Sequence, residues 1–185
     1  MNRQSAESEL EWLTARLLDT VQDARKGLPQ PVFELLSRLT PLVNVDLLVK
    51  DSNGGTLLTW RGDKFYGPGW HIPGGIVRYK EHMADRIAAV AHSELGATVS
   101  FDAVPLVMRE IHAPHREVRG HFISLLFACT LTAPLDTNLK FDANAPKTGQ
   151  WMWHNASPEN LIPAHRAYVP WIDNAAPLGF SLLSR

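Results

Sequence analysis

Gly75-Ile76-Val77-Arg78-Tyr79-Lys80-Glu81, seven further residues, and then Ala89-Val90-Ala91-His92-Ser93-Glu94-Leu95-Gly96-Ala97 is the stretch on which the reading of this chain turns. Between its two halves, Ala84, Ile87, Ala88, Ala91 and Leu95 recur at spacings that share one helical face, which predicts a helix over 82–95 ended by Gly96. A glycine pair, Gly74-Gly75, enters this helix after His71-Ile72-Pro73. Glu81, just ahead of the helix, is suited to accept hydrogen bonds from the loop or the helix N-terminus, a structural role. Glu94 is different: it adjoins the apolar stripe near the glycine loop, where an unpartnered carboxylate is costly, so a metal ion or another cation is its expected partner. His82 and His92 fall on different turns of the helix and do not suit a shared metal site.

Upstream of the glycine pair the period changes to two. Val43, Val45, Leu47 and Val49 alternate with Asn44, Asp46 and Lys50, as in a half-buried strand. Ser52-Asn53-Gly54-Gly55 is turn chemistry, and Thr56 to Arg61 supplies the returning strand. Earlier still, Leu10, Leu13, Leu17 and Val21 mark one stripe of an amphipathic helix over 5–26, with Gly27 as its cap and a short helix through 32–36 after Pro29 and Pro31. Downstream, strands are expected at about 104–112 and 121–132, and a last strand at 150–153. Ser157-Pro158 predicts the start of a final short helix. Strands on either side of one central helix make a mixed α/β sandwich.

Composition narrows the partners. The chain has 185 residues, of which 45% are hydrophobic and 20% charged, and a net charge of −1. A nucleic-acid or acidic-membrane surface needs a basic excess that is missing here, whereas a small anionic ligand needs only a local basic pocket. The single cysteine, Cys129, lies in an apolar run and reads as a buried hydrophobe; with no disulfide available, a reducing cytoplasm is the natural compartment. No apolar run approaches the ~20 residues of a membrane span, and the polar N-terminus is unlike a signal peptide. The tryptophans near strand ends, Trp60, Trp70, Trp151 and Trp153, read as aromatic core packing.

The opening stretch resembles the Nudix box: Gly, five residues, Glu, seven residues, then Arg-Glu-U-x-Glu-Glu-x-Gly-U, where U is a bulky aliphatic. In that pattern a glycine loop admits a diphosphate close to the backbone. The helix brings glutamates at i, i+3 and i+4 onto one face, where they hold divalent metal through oxygen. The resemblance implies an α/β Nudix fold, a mixed β-sheet sandwiched between helices, over 39–185, with residues 1–38 as an N-terminal helical extension. Here Gly75, Glu81, Glu94 and Gly96 keep the frame, while Ala89, Val90 and Ser93 replace the arginine and two glutamates.

Among Nudix branches this loss is similar to that of the GDP-mannose mannosyl hydrolases, which keep the last glutamate, use a single Mg²⁺ and cleave the sugar C–O bond. Thr40-Pro41-Leu42-Val43-Asn44-Val45-Asp46 and Gly69-Trp70-His71-Ile72-Pro73-Gly74-Gly75 extend the likeness over roughly 38–172. The resemblance implies that the Gly74 carbonyl and Glu94 ligate Mg²⁺, that Arg61 contacts the diphosphate, and that Asp46 lies in the nucleotide or sugar pocket. Two positions depart from it: Ile76 follows the glycines where that branch has arginine, and Lys147-Thr148 stand where it has a Gln-His pair. Lys147 is therefore a candidate to hold a phosphate or to pair with Glu94. The general base falls to Asp46 or to a histidine of the charged loop around His115. Three readings stay open. They are a nucleoside diphosphate sugar hydrolase, a binding protein that keeps the pocket without catalysis, and a conventional pyrophosphatase recruiting carboxylates such as Glu117 or Asp142. A homodimer is compatible with the N-terminal helix and the apolar strand edges.

Overall fold

Strand β1 (Leu42–Val49) organises the molecule, and from Val45 onward it is buried on both faces. The computed structural model describes residues 3–63 and 66–177. In it, Val45, Leu47 and Val49 point into a core shared with Leu57, Ile87, Ala91, Leu95 and Phe127. Leu48 points the other way, into a second core with Leu58, Trp70, Ile72, Tyr168, Trp171 and Ile172. The half-polar strand expected from the alternation is thus a fully covered one. Asp46, on the face read as solvent-facing, is 1% exposed.

Two sheets form the sandwich. In the larger, β1 runs parallel to β7 (His121–Leu131) and antiparallel to β4 (Gly74–Ile76), which is an edge strand. On its other side β7 pairs with β5 (Val99–Phe101) and β6 (Val107–His112). The smaller sheet has β2 (Thr56–Arg61) between β3 (Gly69–His71) and β8 (Trp151–His154). Helix α3 (Met83–Leu95) packs on one core, and the C-terminal helical segment, a 3-10 turn Pro163–Tyr168 running into α4 (Val169–Ile172), packs on the other. The mixed sheet between helices is the fold class the sequence predicts. Trp70, Trp151 and Trp171 are buried core residues, as aromatic packing requires. No helix among the described residues is long and apolar enough to cross a membrane.

Several expected boundaries move. Helix α1 is Arg3–Thr20, and the chain then makes a separate 3-10 turn, Ala24–Lys26, because the Asp23 carboxylate accepts from the Arg25 N–H and ends the longer helix early. Helix α2 spans Gln30–Leu39, longer than 32–36. The short strands β3, β4 and β5 were not expected; β3 begins at Gly69, inside the loop expected over Gly62 to Trp70. No helix starts at Ser157: its N–H and hydroxyl both donate to Asp173, at 2.6 and 3.0 Å, and helical structure begins only at Pro163.

What ties the C-terminal segment to β1 is the Asp46 carboxylate. It accepts from the Ser124 hydroxyl on β7, from Tyr168 Oη at 2.8 Å and from Asn44 Nδ2 at 2.7 Å. His165 stands nearby, its Nε2 4.0 Å from Asp46. Because the Ile72 N–H donates to His165 Nδ1 at 2.9 Å, the proton of the neutral ring sits on Nε2 and faces the carboxylate.

Replacing Tyr168 by Phe leaves the buried carboxylate one donor short and should cost about 1–3 kcal/mol in urea unfolding, against no measurable loss at an exposed tyrosine such as Tyr79. Burial holds the His165 imidazole down at about 3. The unfolded ring takes its proton near pH ~6.5, so the stability supplied by neutral His165 is complete above that pH and is lost as pH falls toward the folded value. Burial pushes Asp46 up to about 6, which acts in the opposite sense, so the wild-type curve alone does not isolate the histidine. The stability gap between wild type and His165→Gln should therefore narrow by on the order of 1 kcal/mol per pH unit below pH ~6.5. A constant gap would show that this ring titrates normally.

Candidate active site

Helix α3 delivers Glu94 on its last turn, just before Gly96 takes φ +60° and closes the helix. At the other end, Glu81 accepts from the Arg78 N–H at 2.8 Å and pairs with Arg86 at 2.6 Å, fixing the loop to the helix as expected of a structural residue. Between them the missing carboxylates have a packing explanation. Val90 is 3% exposed and lies over Gly75, where a Cβ would come within 2.8 Å of Val90 Cγ2. Position 90 is therefore core. Ser93 is exposed and turns its hydroxyl back to the Val90 carbonyl at 3.4 Å.

Gly74 is glycine for another reason: a Cβ there would fall on Asp46 Oδ1. Gly74 sits opposite Asp46 in the β1–β4 ladder, while Leu47 bonds the Pro73 carbonyl and Val77 bonds the Val43 carbonyl. In this antiparallel alternation the Gly74 N–H and C=O point away from β1, off the sheet edge. The N–H meets Glu94.

Glu94 is also tied to the smaller sheet. Its Oε2 is 3.1 Å from Thr59 Oγ1, which in turn is 3.0 Å from His71 Nε2. His71 Nδ1 faces the Ile72 carbonyl at 2.9 Å and must carry the proton; burial holds the ring at about 3, so it is neutral and Nε2 can only accept. Thr59 has one hydroxyl proton for two partners. With Glu94 ionised it donates to Glu94; with Glu94 protonated, the carboxyl donates to Thr59 and Thr59 donates to His71. Burial pushes Glu94 up to about 7, against the pull of Thr59, Arg61 and the Gly74 N–H.

Glu94, Gly74 and Asp46 line a cavity of about 290 Å³. Arg61 and Arg119 also line it, with Asp63, Tyr66 and Thr148. Arg61 pairs with Asp63, and its guanidinium stands 5.2 Å from the Tyr66 ring centroid, while Arg116 stands 3.8 Å from the same centroid. The Tyr66 hydroxyl donates to the Arg119 carbonyl at 2.9 Å, and the Gly62 N–H donates to Thr148 Oγ1 at 3.0 Å.

Four of the six residues singled out from the sequence, Asp46, Arg61, Gly74 and Glu94, therefore meet in one cavity. The other two do not. His115 is exposed in the β6–β7 turn, where the chain instead folds Arg116 back onto Tyr66. Lys147 is exposed as well, in a turn closed by the Gln150 side chain on its N–H at 2.7 Å, and it is Thr148 and Gly149 that reach the cavity. Thr59, His71, His165 and Arg119 were not assigned to the site from the sequence.

A hard cation fits this donor set only as a sparsely held ion. Among the described residues no group of three or more His, Cys, Asp or Glu could hold a metal. The Glu94 carboxylate and the edge carbonyl of Gly74 are oxygen donors of the kind Mg²⁺ takes while keeping several waters.

Comparison with known proteins agrees with this architecture. No family model matches the chain. The chain is 32% identical over 119 residues to the low-salt glycan biosynthesis protein Agl8 of Haloferax volcanii, covering 62% of this chain and 73% of that protein. A UDP-X diphosphatase structure is similar over 96% of this chain and 85% of its own, with TM-score 0.54 and 16% identity. The MutT protein of Methanosarcina mazei aligns with TM-score 0.56 and 17% identity over 74% of this chain and 96% of its own. A MutT Nudix hydrolase of Burkholderia pseudomallei gives 0.55 and 19%, over 72% and 98%. At such identities the structures speak for the fold, and the Gly75–Gly96 frame of the sequence resembles the Nudix box. The chain belongs to the Nudix hydrolase superfamily.

Proposed function

We propose that this protein hydrolyses a nucleoside diphosphate sugar or a related nucleoside diphosphate derivative with a single Mg²⁺. The observation that carries the reading is the placement of one ionisable carboxylate, Glu94, against the outward edge of Gly74 inside a cavity that Arg61 and Arg119 also line. The sugar side of the proposal draws on the relative named for glycan biosynthesis and on the likeness to GDP-mannose mannosyl hydrolases in the sequence. The UDP-X diphosphatase neighbour is, by its name, also a protein of nucleoside diphosphate chemistry.

In this reading the Gly74 carbonyl and Glu94 hold the ion. Bound Mg²⁺ neutralises the diphosphate and polarises the bond to be cleaved. Arg61 and Arg119 take the phosphates, with Arg61 held in place by Asp63 and Tyr66. Thr59 keeps the Glu94 carboxylate oriented and lends it a proton donor when it is ionised. Asp46, pushed up to about 6, is the second carboxylate near neutrality in the cavity and is the general base of this proposal, with Tyr168, Ser124 and Asn44 fixing its orientation.

A second reading, a binding protein that keeps the cavity without turnover, is favoured by Val90, whose place in the core leaves no room for the carboxylate the box normally carries there. One screen separates the two. Purified protein is incubated with nucleoside diphosphate sugars with and without Mg²⁺, and turnover and thermal shift are recorded together. The hydrolase reading expects Mg²⁺-dependent release of sugar and nucleoside diphosphate, reduced at least ~100-fold in Glu94→Gln. Stabilisation without turnover, indifferent to Mg²⁺ and to Glu94→Gln, would leave only the binding reading. In the active enzyme Arg61→Ala should raise KM roughly tenfold with a smaller change in kcat, as expected for loss of phosphate binding. His115→Ala should leave both unchanged.

A further inference from the structure

Outside the cavity, the largest unexplained feature is helix α1. Every residue from Glu7 to Thr20 is exposed, although the helix carries Leu10 (64% exposed), Leu13 (46%), Leu17 (38%) and Leu18 (68%). Its C-terminal half forms one wall of an apolar groove of about 790 Å³, with Thr14, Leu17 and Val21 facing Phe33 and Leu36 of α2. Leu35 and Leu39 of α2 stay exposed alongside, at 40% and 70%. Helices draw most of their stability from burying an apolar stripe, and this stripe lies open.

We propose that a second copy of this chain covers it, the two α1 helices packing antiparallel about a two-fold axis. Ala6, Leu10, Leu13 and Leu17 follow the alternating three- and four-residue spacing of a two-helix seam. Pairing Leu10 of one helix with Leu13 of the other sets the register. It brings Ala6 of the partner copy beside Leu17, at the groove rim. The same register sets Glu9 of each helix against Arg16 of the other, twice by symmetry, so the flanking charges are self-complementary as an isologous contact demands. Arg16 already lies along the helix flank, its guanidinium 5.4 Å from the Trp12 ring centroid. Leu10 and Leu13, at 64% and 46% exposed, form the centre of that seam. The inference is independent of the catalytic proposal.

Sedimentation equilibrium of the full chain tests it. The expected result is a dimer that Leu13→Glu converts to a monomer with an unchanged melting profile of the folded body. Glu9→Arg alone and Arg16→Glu alone should each weaken dimerisation roughly tenfold, and the double reversal should restore it. A wild-type monomer at tens of micromolar would overturn the proposal and leave the groove for another partner. A dimer that survives Leu13→Glu, or single reversals without effect, would overturn it in favour of another interface.

Discussion

The molecule depends on one buried carboxylate occupying the space that a side chain would need. Asp46 Oδ1 sits where a Cβ on Gly74 would be, so the edge strand β4 can lie against β1 only as glycine. The same carboxylate gathers Ser124 from β7, Asn44 from its own strand and Tyr168 from the C-terminal segment. An ionised group at 1% exposure is tolerable because its oxygens meet these donors; without them burial would drive it neutral. Glycine loop, parallel strand pair and C-terminal helices are thus referred to a single point, which is also a wall of the cavity.

This arrangement explains how a Nudix helix can shed most of its charge and keep its shape. Where carboxylates are absent, the helix gains contacts: Val90 fills the core over Gly75, and Ser93 returns its hydroxyl to the backbone. The charge that remains is distributed over three elements, with Glu94 on α3, Asp46 on β1 and Arg61 on β2. Each carboxylate is pushed toward neutrality by burial, Asp46 to about 6 and Glu94 to about 7, so a cation or a proton changes the electrostatics of the cavity at small cost.

Much of this was legible in the sequence, and the failures have physical causes. Strand β2 and helix α3 emerge almost to the residue, because turn chemistry and a 3.6-residue period bound them on both sides. Strands β3, β4 and β5 have three residues each, too few to display a period. The helix expected at Ser157 is lost to a long-range competitor, since Asp173 takes the very donors an N-cap would use. The alternation in β1 marked Asp46 as polar, yet nothing local announces that a second layer covers it. The family resemblance brought Asp46, Arg61, Gly74 and Glu94 together. The Thr59–His71 chain behind Glu94, and His165 behind Asp46, arise from residues up to 119 positions apart and leave no sequence pattern. His115 was drawn in by the charge of its loop and Lys147 by its register against the family's Gln-His pair, and both lie in exposed turns.

The edge position of β4 has a consequence for how the protein behaves in company. An open sheet edge is a template on which another chain can add a strand and begin to aggregate. Here that edge is three residues long, and the Gly74 N–H is already engaged by Glu94 across the gap to α3. The group proposed to serve the chemistry thereby also takes up one of the donors that this sheet margin would offer to an added strand.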